Sequence, residues 1–222
     1  MIEAIAPAIF VSVIIPTYNR NDLLFDRALP SVLLQTQPVG EVLIVADGME
    51  GDLLEDLEGR FRAAQSETDV RLRLWNLDRQ LYPDGPEWGR WGLYAVNARN
   101  FGIDHAEGDW LLLLDDDDEL LPSGVSDLLG HVSDDVDFVY GRSMTYKGGD
   151  PIDQTYGAWP PGDGNVTHGA FLMRSGMPWR YALDSYELWR NSDADLWIRM
   201  FAGGVRFRHV PFIVHKYHRN YP

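Results

Sequence analysis

The sequence predicts an α/β fold, a mostly parallel sheet covered by helices on both faces. Two observations carry that expectation. Short apolar, β-branched runs alternate with segments whose apolar residues recur at helical spacing. Polar or glycine-bearing stretches follow those runs, which is where open α/β sheets place their ligands. A chain of 222 residues, 45% hydrophobic, can bury a sizeable core.

The elements follow in order. Val11-Ser12-Val13-Ile14-Ile15 reads as a strand that stops at Pro16. Residues 21–36 carry Leu23, Leu24, Ala28, Leu29, Val32 and Leu33 at helical spacing, with Pro30 expected to kink the segment. Glu41 to Val45 reads as a strand, 52–64 as a short amphipathic helix, and Val70 to Trp75 as a strand exposing Arg71 and Arg73. Gln80 to Gly92 is a loop too long to be a plain connector. A helix over 92–106 leads into the strand Trp110–Leu114. After about residue 143 regularity is expected to fade. Gly148-Gly149, Trp159-Pro160-Pro161-Gly162 and Gly164 mark long loops there, before a helix at 193–202 and a strand pair near 205–215. No repeat or low-complexity linker divides the chain, so residues 1–222 are expected to form one domain.

Composition excludes several classes. A formal charge of −15 argues against a nucleic-acid or anionic-membrane surface, since both need basic patches. With no cysteine there are no disulfides and no thiolate metal sites, which fits a reducing, cytoplasmic setting. No apolar run reaches the ~20 residues of a membrane span. The apolar stretch Ile5 to Ile15 lacks a basic leader region and runs into Pro16, so it reads as the first strand.

The most informative feature is Asp115-Asp116-Asp117-Asp118, directly after an apolar strand. Successive carboxylates repel unless a cation or strong donors intervene. Were the run extended, Asp115 and Asp117 would face one way and Asp116 and Asp118 the other. Paired hard oxygens suit Mg²⁺ or Mn²⁺ that keeps sites open for a substrate phosphate. Glycine-rich phosphate loops are absent, and Leu120 occupies the position where an EF-hand requires glycine. A diphosphate would therefore depend on a divalent ion.

Four segments in order extend this reading. Residues 11–20, Val-Ser-Val-Ile-Ile-Pro-Thr-Tyr-Asn-Arg, resemble the opening strand of family-2 glycosyltransferases with the GT-A fold. Asn97-Ala98-Arg99-Asn100-x-Gly102 and Leu114-Asp115-x-Asp117-Asp118 are similar to that family's middle motifs, and Asp193-x-Asp195-Leu196-Trp197 to its C-terminal acidic motif. The resemblance implies inverting transfer from a nucleotide-sugar donor to a saccharide or other hydroxyl acceptor, with Mn²⁺ or Mg²⁺. Residues 10–118 would form the donor half and 119–222 the acceptor half. It further implies that Pro16, Thr17, Asn19, Asp47, Arg99 and Asp115 bind the donor. Asp115, Asp117 and His218 would hold the metal, and Asp193 would be the general base.

Two departures stand out. Ala46 replaces an acidic residue expected to contact a uracil imide, leaving Asp47, and Ser192 replaces the first of an acidic pair before Asp193. Simpler readings compete for each residue. Asp193 could cap a helix, Arg99 could pair with an aspartate, His215 and His218 could be ordinary histidines, and Trp88 and Trp91 could be packing. A nucleotidyltransferase would need a glycine-rich loop that is missing. A glycoside hydrolase would not need the aspartate run. The serious rival is a catalytically silent nucleotide- or carbohydrate-binding module of the same fold.

Overall fold

The computed structural model describes residues 9–81, 93–162, 164–188 and 190–219. Its first half alternates strand and helix: β1 (Val11–Thr17), α1, β2 (Glu41–Asp47), α2 (Gly51–Ser66), β3 (Arg71–Leu77), α3 (Val96–His105) and β4 (Trp110–Leu113). Helix α1 runs Asn21–Leu23, opens into a π turn over Leu24–Ala28 and closes as Leu29–Leu33. The wide turn lies just before Pro30, which has no N–H to donate, so the expected kink takes this form. The second half contains β5 (Glu119–Leu120), α4 (Gly124–Leu129), β6 (Phe138–Lys147), β7 (Asp150–Tyr156), β8 (Phe171–Arg174), a 3-10 turn (Ser185–Leu188), α5 (Ser192–Ala202) and β9 (Phe207–Arg219).

These strands form one sheet in the order β3-β2-β1-β4-β8-β6-β9-β5, with β7 beside β6. The β3-β2-β1-β4 half is parallel throughout. The other half is mixed, with β8 antiparallel to β4 and β6, and β9 parallel to β6. Every residue of β1, β2 and β4 is buried. The pleat divides them between two cores. Val13, Ile15, Val42 and Ile44 face one core, while Ile14 and Leu43 face a second that contains Phe138, Phe171 and Trp197. The α/β class with helices on both faces holds.

The structure corrects two expectations for the C-terminal third. Gly148-Gly149 is not a long loop but the two-residue turn of the β6–β7 hairpin, with φ of +62° and +93°. Two adjacent positive-φ positions are what a tight hairpin needs and what glycine supplies. The strand pair near 205–215 is instead a single strand, β9. Pro211 lies within a register irregularity between the pairs Tyr140↔His209 and Arg142↔Ile213, where proline's missing donor is tolerated. The 82–92 stretch, with Trp88 and Trp91, lies outside the described residues. Among the described residues no helix is long and apolar enough to cross a membrane.

At the sheet end away from the aspartate run, Glu41 is buried yet ionic. It accepts from Ser12 Oγ at 2.7 Å, Glu107 N–H at 2.8 Å, Arg71 at 2.5 Å and Arg73 at 3.1 Å. Burial alone would raise its pKa, but these donors outweigh burial and hold it below its ordinary value. A depressed carboxyl contributes stability that is present above its unfolded pKa and lost as pH falls through the folded one. Glu41→Gln should therefore lower stability by about 1–3 kcal/mol at neutral pH. Chemical denaturation should show that deficit shrinking in acid. An undiminished deficit in acid would contradict the ionic reading.

Candidate active site

The carboxyl ends of β1, β2 and β4 open into one cleft of about 540 Å³. The end of β1 and the residues after it, Pro16 to Arg20, line it. Asn19 (φ 51°) and Ala95 (φ 62°), the cap residue just before α3, are the two non-glycine residues with left-handed backbone among those described, and both line the cleft. Such strain gathers where the surroundings fix a backbone for function. β2 ends in Asp47, followed by Gly48 at φ +67°, where a Cβ would meet the Arg79 backbone at 2.6 Å. Glycine there lets the chain after β3 close in, so that Gln80 N–H donates to Asp47 Oδ1 at 2.8 Å and Arg79 Nη1 to Oδ2 at 3.2 Å. The Arg79 guanidinium lies over the Tyr18 ring, 3.4 Å from its centroid.

The aspartate run is a turn, not an extended segment, because Asp118 N–H donates to Asp115 O at 3.2 Å. The expected Asp115/Asp117 and Asp116/Asp118 pairing is therefore overturned. A turn aims each carboxylate differently, and each finds its own donors. Asp115 accepts from Arg99 Nη2 at 2.7 Å and lies 3.2 Å from His168 Nδ1. Burial pushes its pKa up, but the His168 and Arg99 charges override that and hold it well below the carboxylate range. Asp116 accepts from Thr17 Oγ1 at 2.8 Å and shares Arg20 with Asp117, at 3.1 and 2.7 Å. Burial, opposed by Arg20 and reinforced by Asp117, pushes Asp116 up to about 7. Asp118 accepts from His218 N–H at 2.7 Å and lies 3.3 Å from His215 Nε2. Burial and the neighbouring carboxylates raise Asp118 well above its ordinary value, and burial lowers His215 to about 4.

Asp193 enters from the first turn of α5. Its Oδ1 accepts from Ala194 N–H at 2.7 Å, while the cap residue Asn191 makes no side-chain cap bond. It borders the same cleft and is close enough to influence both Arg99 and Tyr181 electrostatically. Its neighbour Asp195 is buried against Arg199 at 2.6 Å. His218 also lines the cleft, but its Nε2 meets Glu119 Oε1 at 2.9 Å.

The structure thus brings Pro16, Thr17, Asn19, Asp47, Arg99, Asp115, Asp117, Asp193 and His218 to one cleft. Ala46 is different, because its side chain packs in the core with Val42 and Ile44. Asp47, not residue 46, borders the cleft. Sequence reasoning missed His168, whose Nε2 lies 3.0 Å from Tyr181 OH while Nδ1 meets Asp115. A histidine in an irregular stretch before β8 carries no periodic signal.

Among the described residues no group of three His, Asp or Glu could hold a metal unaided. The donor set still fits a divalent ion. Hard carboxylate oxygens of Asp115 and Asp117 border an open cleft, and Mg²⁺-type sites are completed by substrate phosphates.

A family model described as glycosyl transferase family 2 matches residues 89–201. A relative from Campylobacter jejuni, GalNAc(5)-diNAcBac-PP-undecaprenol beta-1,3-glucosyltransferase, is 27% identical over 219 residues, 94% of this chain and 65% of its own length. An uncharacterized glycosyltransferase of Rickettsia felis is 35% identical over 108 residues, 49% of this chain and 15% of that protein. The chain therefore spans less than two thirds of the length of either relative. Among solved structures, Staphylococcus aureus TarS 1–349 in complex with UDP superposes with TM-score 0.67 at 17% identity, over 95% of this chain and 60% of that 1–349 chain. Pyrobaculum calidifontis mannosyltransferase PcManGT with GDP-Man and Mn²⁺ gives 0.61 at 17% identity, over 93% and 56%. At such identities the structures speak for the GT-A fold alone.

Asp116 offers a test of the site's electrostatics without any ligand. With its folded pKa near 7 and an ordinary value of 3.8, the folded state holds the extra proton between those values. Stability should therefore fall as pH rises through that window. Asp116→Asn keeps an oxygen for Arg20, turns an amide donor toward the Thr17 hydroxyl, which can accept, and removes the charge. The variant should be more stable than the parent at about pH 8, and that advantage should vanish near pH 4. Thermal unfolding at the two pH values reads the difference, and a pH-independent offset would contradict it.

Proposed function

We propose that this chain, which belongs to glycosyl transferase family 2, transfers a sugar from a nucleotide-sugar donor to a hydroxyl acceptor, with inversion and with Mn²⁺ or Mg²⁺ at the aspartate run. One observation carries the reading: Asp115 and Asp117 at a strand end and Asp193 at a helix start border a single cleft. The bound molecules of the structural neighbours, UDP in one and GDP-Man with Mn²⁺ in another, support a nucleotide-sugar donor. The reading takes residues 1–222 as one domain, with the cleft between a donor half of about 10–118 and an acceptor half of about 119–222.

Pro16, Thr17 and Asn19 line the nucleoside end, beside the Tyr18–Arg79 stack. Asp47 meets the base there, exchanging a contact with Arg79 for one with the nucleotide. Arg99, fixed by Asp115 and by Tyr94 O at 2.8 Å, brings positive charge to the phosphate end. Asp115, Asp117 and His218 would hold the cation, His218 by giving up Glu119. A divalent cation bound there stabilises the charge that develops on the departing diphosphate. Asp193 accepts the proton of the acceptor hydroxyl as that oxygen attacks the anomeric carbon from the face opposite the leaving group, which inverts the centre.

Asp117→Asn should weaken nucleoside diphosphate binding in Mn²⁺ and cut turnover by more than about a hundredfold, the scale of losing a principal electrostatic stabiliser. Unchanged affinity in Mn²⁺ would remove the metal role.

Asp193→Asn should leave diphosphate affinity nearly unchanged while transfer falls by roughly 10²–10⁴. Unimpaired transfer by that variant would return Asp193 to a helix-cap role. Nucleotide binding by the parent chain with no metal-dependent donor turnover would favour the silent module.

A further inference from the structure

The cleft differs in chemistry from one end to the other, and that difference identifies the acceptor. Its arginines, Arg20, Arg79 and Arg99, all come from residues 10–118. Among the described residues no lysine or arginine of the C-terminal half lines it. That half contributes Tyr156 from β7 and Tyr217 from β9, together with the polar rim Asn191, Ser192 and Asp193. The two rings lie 5.5 Å apart at 86°, so the edge of one abuts the other and the pair forms a corner with a floor and a wall.

We propose that Tyr156 and Tyr217 form an acceptor subsite for a saccharide. A pyranose ring lays its C–H face on the tyrosine surface while its free hydroxyl reaches Asp193. The proposal rests on the glycosyl-transfer reading above.

The platform is built in advance. β7 and β9 flank β6, with Tyr156 paired to Ser143 and Tyr217 to Thr145. Three adjacent strands therefore fix the backbone under both rings. The Tyr156 hydroxyl accepts from Gln154 Nε2 at 2.8 Å, and Gln154 Oε1 accepts from Arg219 at 3.2 Å, which restrains the ring. Gly164, at φ +69°, approaches the Tyr156 ring edge, and a Cβ there would stand 3.9 Å from it. The absent side chain leaves the ring uncovered. Both tyrosines remain partly exposed.

Other acceptor chemistries fit this corner less well. A phosphate or carboxylate would find, among the described residues, no lysine or arginine of this half in the cleft. A bare aliphatic chain would gain from the rings but make no use of the polar rim. A pyranose, apolar on its faces and hydroxylated at its edge, uses both.

Saturation-transfer NMR tests the subsite, with the methyl glycosides of glucose, galactose, mannose, N-acetylglucosamine and N-acetylgalactosamine as probes. The full chain is used with Mn²⁺ and either UDP or GDP. At least one glycoside should receive saturation strongest at its ring C–H protons. Tyr156→Ala and Tyr217→Ala should weaken that binding about tenfold or more, while Tyr156→Phe keeps it, since stacking needs the ring and not the hydroxyl. Tyr156→Leu, which retains apolar bulk without a ring, should behave as the alanine variant does. Diphosphate affinity, read on the same samples, should move less than about twofold and shows that each variant is folded. Glycoside binding unchanged in the alanine variants would overturn the subsite, as would no glycoside binding to a parent chain that binds diphosphate. Failure of the parent to bind either diphosphate would strike the glycosyl-transfer reading itself, and the subsite with it.

Discussion

Four consecutive carboxylates at the end of a buried strand are the constraint around which this structure is arranged. Left as neighbours in low dielectric they would repel by many kcal/mol, and the fold disperses that repulsion by turning the chain. Each carboxylate then meets a partner from a different element. Asp115 meets Arg99 from α3 and His168 from the approach to β8. Asp116 meets Thr17 at the end of β1, and Asp117 meets Arg20 just beyond it. Asp118 meets the backbone of β9. The parallel half brings Arg99, Thr17 and Arg20 to one edge, the approach to antiparallel β8 brings His168, and the long C-terminal strand brings the last. The residual cost is visible in Asp116 and Asp118, which burial and neighbouring charge keep prone to protonation.

Much of this was legible in the sequence where physics acts locally. The β-branched runs of β1 and β2 are buried along their whole length, and their apolar composition says so directly. The strand-to-polar transitions mark the cleft because a parallel sheet ends all its strands on one side. What escaped depends on contacts between distant segments. His168 is a single residue in irregular chain, and only the fold shows that it joins Asp115 to Tyr181, thirteen residues onward. The half-polar hairpin of β6 and β7 lacks the clean alternation that marks a strand. β9 continues through Pro211 because a register irregularity absorbs the missing donor, which composition cannot reveal. The aspartate run was misread in conformation though not in importance. Spacing says which residues are neighbours, but a turn decides where they point.

Ala46 shows how the pleat changes the meaning of a substitution. Read along the sequence, alanine in place of an acidic residue looks like a lost nucleobase contact. In the sheet, residue 46 shares a face with Val42 and Ile44 in the core, while Asp47 borders the cleft. A carboxylate at position 46 would be buried among apolar side chains at considerable cost, so alanine suits the local packing. In the proposed reading, recognition of the base rests with Asp47, already held by Gln80 N–H and Arg79. A carboxylate with committed donors selects among bases less sharply than a free one, because a new hydrogen bond must replace an old one.

The division of labour in the cleft follows from the division of the sheet. The parallel half ends its strands together, and the chain beyond them brings Arg20, Arg79, Arg99 and a strained Asn19 to the end of the cleft that the proposed reading gives to the phosphates. The mixed half, built from a hairpin and a long strand, presents side chains from strand faces. Rigid strand faces suit aromatic platforms, whose geometry must be kept, whereas loop ends suit charged groups that exchange partners as ligands arrive. Asp193, at a helix start, reaches the boundary between them. Its carboxylate accepts from the backbone amide of Ala194, which orients it at the cleft edge. In the proposed reading a group so placed meets the acceptor hydroxyl, whereas the four aspartates beside it are turned to arginine, histidine, threonine and backbone donors.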